Sequence, residues 1–451
     1  MTNKSKFNFL DIISLNWENK RWIIYILVIA AILISFVFPS ILFHEVYKNT
    51  HPSKKIYFAA NNSPALKEII KKFNEVNKGK IEVELVVFNY EKFSTNKKKE
   101  LITRTMRSKN GKIDIFSIDQ IWVPRISKWS ENLLNYFTED ELSKLIKPAL
   151  KTCFYDNSLS SLPLFLDLGI MYYRKDLISN VNKFENIEQK IQAGITWADL
   201  IKISDKLPQR YSYVFQGKNY EGLICNFFEF VGENKKTNQQ YFFQAVDHPY
   251  VISKLQFMKD LILKSKLVPS EVLNFEEASS FRYAVKNDIP FFRGWSTIYK
   301  LVKIPGPDSL KIKNLGIAPL PKFGSNNSVS IIGGWNLMIS KYSESKKEAV
   351  KFIKFAMSEE AQKILYTRGE YLPVVKSIYT DSLFVKEHPR LIFYSERLKK
   401  IIRRPFIEDY TLLSDILANY IHKSLSNKLS AKKALVQAQK KIDKVVKNNY
   451  K

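Results

Sequence analysis

Two hydrophobic periods alternate between Lys55 and Asp119, and this alternation limits the possible folds more than any other feature of the chain. Residues 55–60 read as a strand. Ser63 suits a helix N-cap, and Pro64 suits the first helical position, where a missing N–H costs nothing. Leu66, Ile69, Ile70 and Phe73 then recur at the spacing of one buried helix face. Ile81, Val83, Leu85 and Val87 alternate as a second strand, a helix is expected over about 91–106, and residues 113–119 form a third strand. Strand, helix, strand, helix, strand predicts a parallel sheet with helices on its faces.

In such sheets ligands sit beyond the carboxyl ends of the strands. Asn61 and Asp119 occupy two of those ends. Each carries hydrogen-bonding atoms suited to hydroxyl groups. An Asx turn at Asn61 and a helix cap at Asp119 would explain the same residues without a ligand.

From Leu162 the pattern changes. Residues 163–173 form one long apolar segment, extended enough to cross into a second unit, and Asp167 is a lone carboxylate within it that needs a partner. Thr196 and Asp199 are spaced as a capping box opening a helix through Leu207. Residues 221–231 are apolar at helical spacing, and residues 291–295 end in Trp295. Residues 315–321 and 330–339 are strand-like around a polar turn. Ser345 and Glu348 form another expected capping box. The last helix starts near Ser430 and is expected to bury Leu435, Ala438, Ile442, Val445 and Val446.

Residues 22–43 carry no charge and are long enough to cross a bilayer core of ~30 Å. Lys20 and Arg21 precede them, which keeps the N-terminus cytoplasmic and exports the rest. No small-residue cleavage signal follows, so an uncleaved transmembrane signal anchor is expected, with a cleaved signal as the alternative. Residues 1–21 are then a cytoplasmic segment, and 44–54 a tether.

With 451 residues the chain is too long for one compact core. Its 71 Lys+Arg against 44 Asp+Glu give a net charge of +27, which raises nucleic acid as a partner. The basic residues are spread along the chain rather than clustered, so a solvated basic exterior is expected and no nucleic-acid partner. Cys153 and Cys225 are too few for a disulfide framework; one bridge or two buried thiols both fit. The five His fall in no metal-ligand spacing, so no metal or cofactor is expected. No GxxxxGK(S/T) phosphate-binding loop occurs, so this chain cannot supply an ATPase by that route.

Several segments, in order, resemble family 1 extracellular solute-binding proteins, and within them the trehalose/maltose-binding branch. Gln216-Gly-Lys-Asn-Tyr-Glu-Gly-Leu-Ile-Cys-Asn-Phe-Phe-Glu-Phe230 resembles that branch's second-lobe helix. Leu166-Asp-Leu-Gly-Ile-Met-Tyr-Tyr-Arg-Lys-Asp-Leu177 is similar to its strand into the second lobe, and Thr196-Trp-Ala-Asp-Leu200 to a helix start. Gly333-Gly-Trp335, Arg404-Pro405 and Lys428-Leu-Ser-Ala-Lys-Lys-Ala-Leu435 fit in sequence order. The match runs from about residue 55 to the end.

The resemblance implies a periplasmic-binding-protein-like α/β fold, with two lobes joined by a hinge around a ligand cleft. The first lobe would be 55–165 with 313–342, and the second 166–312 with 343–451. It implies the substrate-binding component of an ABC transporter, membrane-anchored and facing the periplasm or cell exterior. Such a protein captures a sugar (a disaccharide such as trehalose or maltose) and delivers it to permease subunits served by a separate ATPase, without catalysis. Asp119 and Asp167 would accept from sugar hydroxyls, and Arg404 would donate with its fork. Arg403 competes with Arg404 for the inward position. Trp295 and Trp335 would stack on the sugar, with Phe165 as a further ring and Tyr371 bordering the cleft. Gly333 and Gly334 would let the backbone approach the ligand. Asn61 stands where the branch has an acidic residue, which leaves the particular disaccharide open. A sugar-cleaving enzyme using two carboxylates, a membrane-anchored sensor with the same fold, and a binder of a non-sugar solute are the competing readings.

Overall fold

The computed structural model describes residues 17–37, 53–88, 95–179, 186–232, 239–324 and 327–449. The chain divides into a small unit, residues 1–55 with 76–82, and a large one, residues 56–75 with 83–451.

The small unit contains α1 (Trp17–Ile32), which ends in a π-helical turn, Leu33–Val37. Among the described residues no helix is long and apolar enough to cross a membrane. Of the run 22–43, residues 22–37 are described and helical, and the crossing expected there is not found among the described residues. Residues 38–43 and most of the expected tether lie outside the described residues, and Lys54 already belongs to a strand.

Nine strands make one sheet among the described residues: β1 (Lys54–Asn61), β2 (Ile81–Phe88), β3 (Ile115–Asp119), β4 (Leu162–Arg174), β5 (Tyr213–Val214), β6 (Phe291–Trp295), β7 (Leu315–Ala318), β8 (Ser330–Ile339) and β9 (Ile401–Ile402). Their order is β2-β1-β3-β8-β4-β6-β5, with β9 added to β8 and β7 to β4. β1 and β3 are parallel, as their helical crossover requires. β8 runs antiparallel to both β3 and β4, so the sheet is mixed rather than parallel throughout.

The long strand β4 joins the two α/β halves. Its first half pairs with β8 from Leu162 to Leu168, and its second half pairs with β6 and β7 from Gly169 to Arg174. Ile170, Met171, Tyr172 and Tyr173 are fully buried there, each aliphatic side chain worth about 1.5–3 kcal/mol of transfer free energy.

The helices that matter to the site are α2 (Pro64–Val76), α3 (Thr95–Arg107), α4 (Trp197–Ser204), α5 (Glu221–Val231), α6 (Glu277–Lys286), α7 (Ile298–Leu301), α8 (Lys346–Ala356), α9 (Glu359–Gly369), α10 (Arg390–Leu398), α11 (Tyr410–Leu425) and α12 (Ala431–Asn449). In α2 the expected face, Leu66, Ile69, Ile70 and Phe73, is buried, and Ser63 Oγ caps the Leu66 N–H at 3.2 Å. The start expected for α3 near Glu91 lies outside the described residues. In β2 the alternation weakens toward its end, where Val87 is exposed. Thr196 and Asp199 form their capping box. Ser345 precedes α8 but makes no side-chain cap, its φ and ψ of −116° and 36° turning the hydroxyl away. In α12, Leu435, Ala438 and Ile442 are buried while Val446 is exposed and Val445 only half-buried, because the helix outruns its supporting neighbours.

Two placements differ from the expected lobe division, and the first is β7, expected in the first lobe but paired with Met171–Arg174 of β4. In α8, Phe352 meets Phe58 and Phe73 at 5.4 and 5.2 Å between ring centroids. Val374 O then accepts from the Ile146 N–H. Residues 346–375 therefore side with the β1–α2 half rather than with α11 and α12. An amphipathic stripe shows that one face is buried, not what covers it.

Candidate functional site

The sheet register assembles the site. Trp335 on β8 stands opposite Asp119 on β3 and opposite Phe165 on β4. Two residues along, Gly333 faces Asp167, and beyond the β4 midpoint Gly169 faces Trp295 on β6. Residues two apart on a strand share a face, so these side chains all rise on one side of the sheet. They line a cavity of about 360 Å³ together with Asn61, Gly334, Tyr371 and Arg404. All ten residues singled out from the sequence thus border one cavity.

Arg404 is buried, whereas Arg403 is only partly so. Its Nη2 donates to Asp119 Oδ1 at 2.9 Å and its Nη1 to Glu221 Oε1 at 3.0 Å. Glu221, in the first turn of α5, also accepts from the Tyr410 hydroxyl at 2.5 Å and the Ser414 hydroxyl at 2.7 Å on α11. Burial works against the Arg404 charge, and the carboxylates outweigh it, holding this group well above its ordinary value. Burial raises the Glu221 carboxyl, opposed by Arg404. Asp119 makes the expected cap, its Oδ1 accepting from the Ile121 N–H at 3.1 Å, while also lining the cavity.

Asp167 has the partners its position demands. Its Oδ1 accepts from Ser296 at 2.5 Å and from the Leu168 N–H at 3.0 Å, and its Oδ2 from Thr297 at 2.9 Å. Burial nevertheless pushes it up to about 6, against these hydrogen bonds. Beside it the Trp295 ring lies over the Arg293 guanidinium, 4.1 Å from its centroid, in a cation–π contact. Arg293 is fixed in turn by both oxygens of Glu229, at 3.0 and 2.9 Å. The platform is therefore braced from below.

A Cβ on Gly333 would come within 3.0 Å of the Trp295 ring, and one on Gly334 within 2.7 Å of the Phe165 carbonyl oxygen. The first glycine makes room for the ring and the second for the neighbouring strand. Phe165 and Tyr371 pair at 4.1 Å between centroids. Asn61 Oδ1 is buried with no hydrogen-bond partner among the described residues, an acceptor left for a donor in the cavity.

Sequence reasoning missed Glu221, Glu277, Cys225 and Lys98. Glu277 on α6 receives the Trp295 Nε1–H at 3.4 Å, and burial raises its carboxyl. Cys225 lines the cavity; it and Cys153 are free, buried thiols. Lys98 on α3 is only 2 % exposed, its Nζ 6.0 Å from the Trp335 centroid, and burial lowers it to about 8. Glu221 lay inside the motif that carried the resemblance, a signal that was available. Lys98 lay in a lysine run, which usually means a solvated face.

The cavity thus has aromatic walls, converging carboxylates and an arginine. The chain belongs to the bacterial extracellular solute-binding protein family, whose model matches residues 59–363. A probable ABC transporter-binding protein of Deinococcus radiodurans is 25 % identical over 353 residues, covering 74 % of this chain and 80 % of that one. The maltose-bound MalE3 of T. maritima has a TM-score of 0.77 and 25 % identity, over 87 % of this chain and 100 % of that one. A D-mannitol-bound solute-binding protein of Agrobacterium vitis has the same fold, with a TM-score of 0.72 at 19 % identity over 88 % and 99 %. The fold is thus the two-lobed α/β architecture of periplasmic binding proteins.

Proposed function

We propose that this protein is the extracytoplasmic sugar-binding component of an ABC transporter, taking up a disaccharide-sized ligand and passing it to a permease served by a separate ATPase. The observation that carries the reading is the shared cavity: Trp295, Trp335, Asp119, Asp167 and Arg404 converge on it from different strands and loops. Rings suit the C–H face of a pyranose, and charged acceptors and donors suit its hydroxyls. The volume of about 360 Å³ is near the low end for small-molecule sites, which favours a short saccharide over a long one. The maltose-bound relative supports the same class.

The lobes in this reading are about 55–165 with 330–381, and 166–322 with 390–451, hinged where β4 and β8 cross. Binding proceeds without catalysis: Arg404 neutralises Asp119 and Glu221 together, and Asp167 is held by two hydroxyls. Membrane anchorage by the N-terminal segment also belongs to the proposal, supported by the exposed apolar run Ile24 to Ile29 of α1. Membrane fractionation of the expressed full chain tests it.

The experiment that decides the function is a thermal-shift and calorimetry panel with trehalose, maltose, sucrose, glucose and mannitol on the protein. A ligand at a hundredfold excess over its dissociation constant stabilises the fold by about 2.7 kcal/mol. Stabilisation by a sugar, lost in Trp335→Ala, supports the reading. Stabilisation only by a solute of another class overturns the substrate, and turnover of a chromogenic glycoside would install an enzyme instead.

A further inference from the structure

The cavity wall at Tyr371 is fixed from behind by a buried carboxylate that does not itself line the cavity. Leu372 exchanges two backbone hydrogen bonds with Leu166, at 2.9 and 3.0 Å, one residue before Asp167. Glu370, just before Tyr371, ends α9 with a φ of 52°, a left-handed conformation that is costly for a residue with a Cβ. Surrounding structure must therefore hold it. Its side chain lies in a buried residue, 4 % exposed, and its Oε1 accepts from Arg390 Nη1 at 3.3 Å. Its Oε2, also buried, meets no donor in good geometry among the described residues.

Arg390 is itself anchored elsewhere. Its Nη2 donates to the Leu315 carbonyl on β7 at 3.3 Å, and its guanidinium lies 5.0 Å from the Tyr299 centroid on α7. The pair thus fastens the 369–372 segment to β7 and α7. The groups that face Glu370 come from four elements: Arg390 and Tyr394 on α10, Tyr299 and Lys300 on α7, Tyr172 on β4 and Tyr366 on its own helix.

We propose that Glu370 is a positioning residue, which through Arg390 holds Tyr371 in the cavity wall and so sets ligand affinity without touching the ligand. The proposal rests on reading the cavity as a solute site. Burial, opposed by Arg390, pushes the Glu370 carboxyl up to about 7 from an ordinary 4.5. A carboxyl raised in the folded state is held neutral by the fold, so its stabilisation is complete below the ordinary value. It is lost as pH climbs from about 4.5 through 7. Burial outweighs what Arg390 and the Tyr299 hydroxyl return to the charged form, so ionisation loosens the segment on the alkaline side.

Two readouts test this on the full chain. In the ligand-free protein, amide exchange at Leu166 and Leu372, corrected for intrinsic base catalysis, reports opening of the segment. Between about pH 5.5 and 8.5 the ratio of opening in the wild type to that in Glu370→Gln should increase about threefold or more. The ratio of maltose affinity in the wild type to that in Glu370→Gln, both by calorimetry, should fall over the same range. Glu370→Leu, which cannot receive Arg390, should bind weakly at every pH. Asp167, raised to about 6, and Lys98, lowered to about 8, contribute to both proteins alike and cancel in the ratio. Should Glu370→Gln not fold, Arg390→Gln serves: removing the cation must move the midpoint of the exchange profile to higher pH. Superimposable exchange profiles for wild type and Glu370→Gln, or an unmoved midpoint in Arg390→Gln, overturn the proposal. If no sugar binds while the exchange profiles still differ, the proposed substrate fails and the role of Glu370 stands.

Discussion

Arg404 and Asp119 are 285 residues apart in the chain and 2.9 Å apart in the fold, where they close a buried ion pair. The same guanidinium reaches Glu221, so one cation neutralises two carboxylates. Removing one partner of a buried pair leaves an uncompensated charge, at a cost of about 3–5 kcal/mol. Arg404→Ala should therefore lower unfolding stability by about that amount in urea titration and abolish ligand-induced stabilisation. Arg404→Lys should recover little of either, because one ammonium cannot span both carboxylates with a fixed fork. Wild-type stability in Arg404→Ala would mean that the network is not formed in solution.

The two tryptophans should separate by what supports them. Trp295 lies over Arg293, whereas Trp335 leans edge-on against Trp122 at 5.6 Å. Either change to Ala should weaken sugar binding tenfold or more, about 1.4 kcal/mol. Changing Arg293 to Met should weaken it through Trp295 alone, by releasing the ring and leaving Glu229 unpaired. A double-mutant cycle of Arg293→Met with Trp295→Ala should show strong coupling, and one with Trp335→Ala little.

Asp167 gives the acid limb of the pH dependence. Its carboxyl is pushed up to about 6 by burial, so the folded state holds the proton more tightly than the unfolded chain. Its contribution to stability is complete below about 3.8 and is lost as pH rises to about 6. Only the ionised form is a charge-assisted acceptor for hydroxyls, so sugar affinity should rise several-fold as pH passes about 6. Asp167→Asn should be more stable at neutral pH, lose the decline in stability below it, and bind weakly without that rise. Calorimetry at four or five pH values checks both halves; an unchanged acid limb in the variant would remove Asp167 from the site.

Local periodicity made the elements between Lys55 and Asp119 legible, because strand and helix differ in period and Ser63-Pro64 marks a boundary between them. The long apolar run of β4 was legible for a similar reason. The site was legible only as scattered residues, since what unites Asp119, Trp335 and Phe165 is the pairing of β3, β8 and β4. That pairing joins distant segments and leaves no local trace. Glu221 and Lys98 escaped because an acid in a first helical turn and a lysine in a basic run are the usual marks of solvent-facing positions. Tertiary burial, which no short window contains, reverses both. The placement of α8 was illegible in the same sense: its stripe required a neighbour, and only the fold names Phe58 and Phe73.

The two expected capping boxes offer a clean contrast. At Thr196 the hydroxyl accepts from the Asp199 N–H at 3.0 Å, and the Asp199 carboxylate accepts from the Thr196 N–H at 3.0 Å. At Ser345 the backbone is turned, and its own N–H donates to Ser343 Oγ at 3.0 Å. An N-cap lost to Ala typically costs about 1 kcal/mol, within a range of roughly 0.5–2. Thr196→Ala should pay that penalty in urea denaturation, with an unchanged denaturant slope. Ser345→Ala should fall within about 0.5 kcal/mol of wild type, as a substitution away from any such bond does. Equal losses at both sites would mean that Ser345 caps α8 after all, and that the sequence pattern is the better guide there.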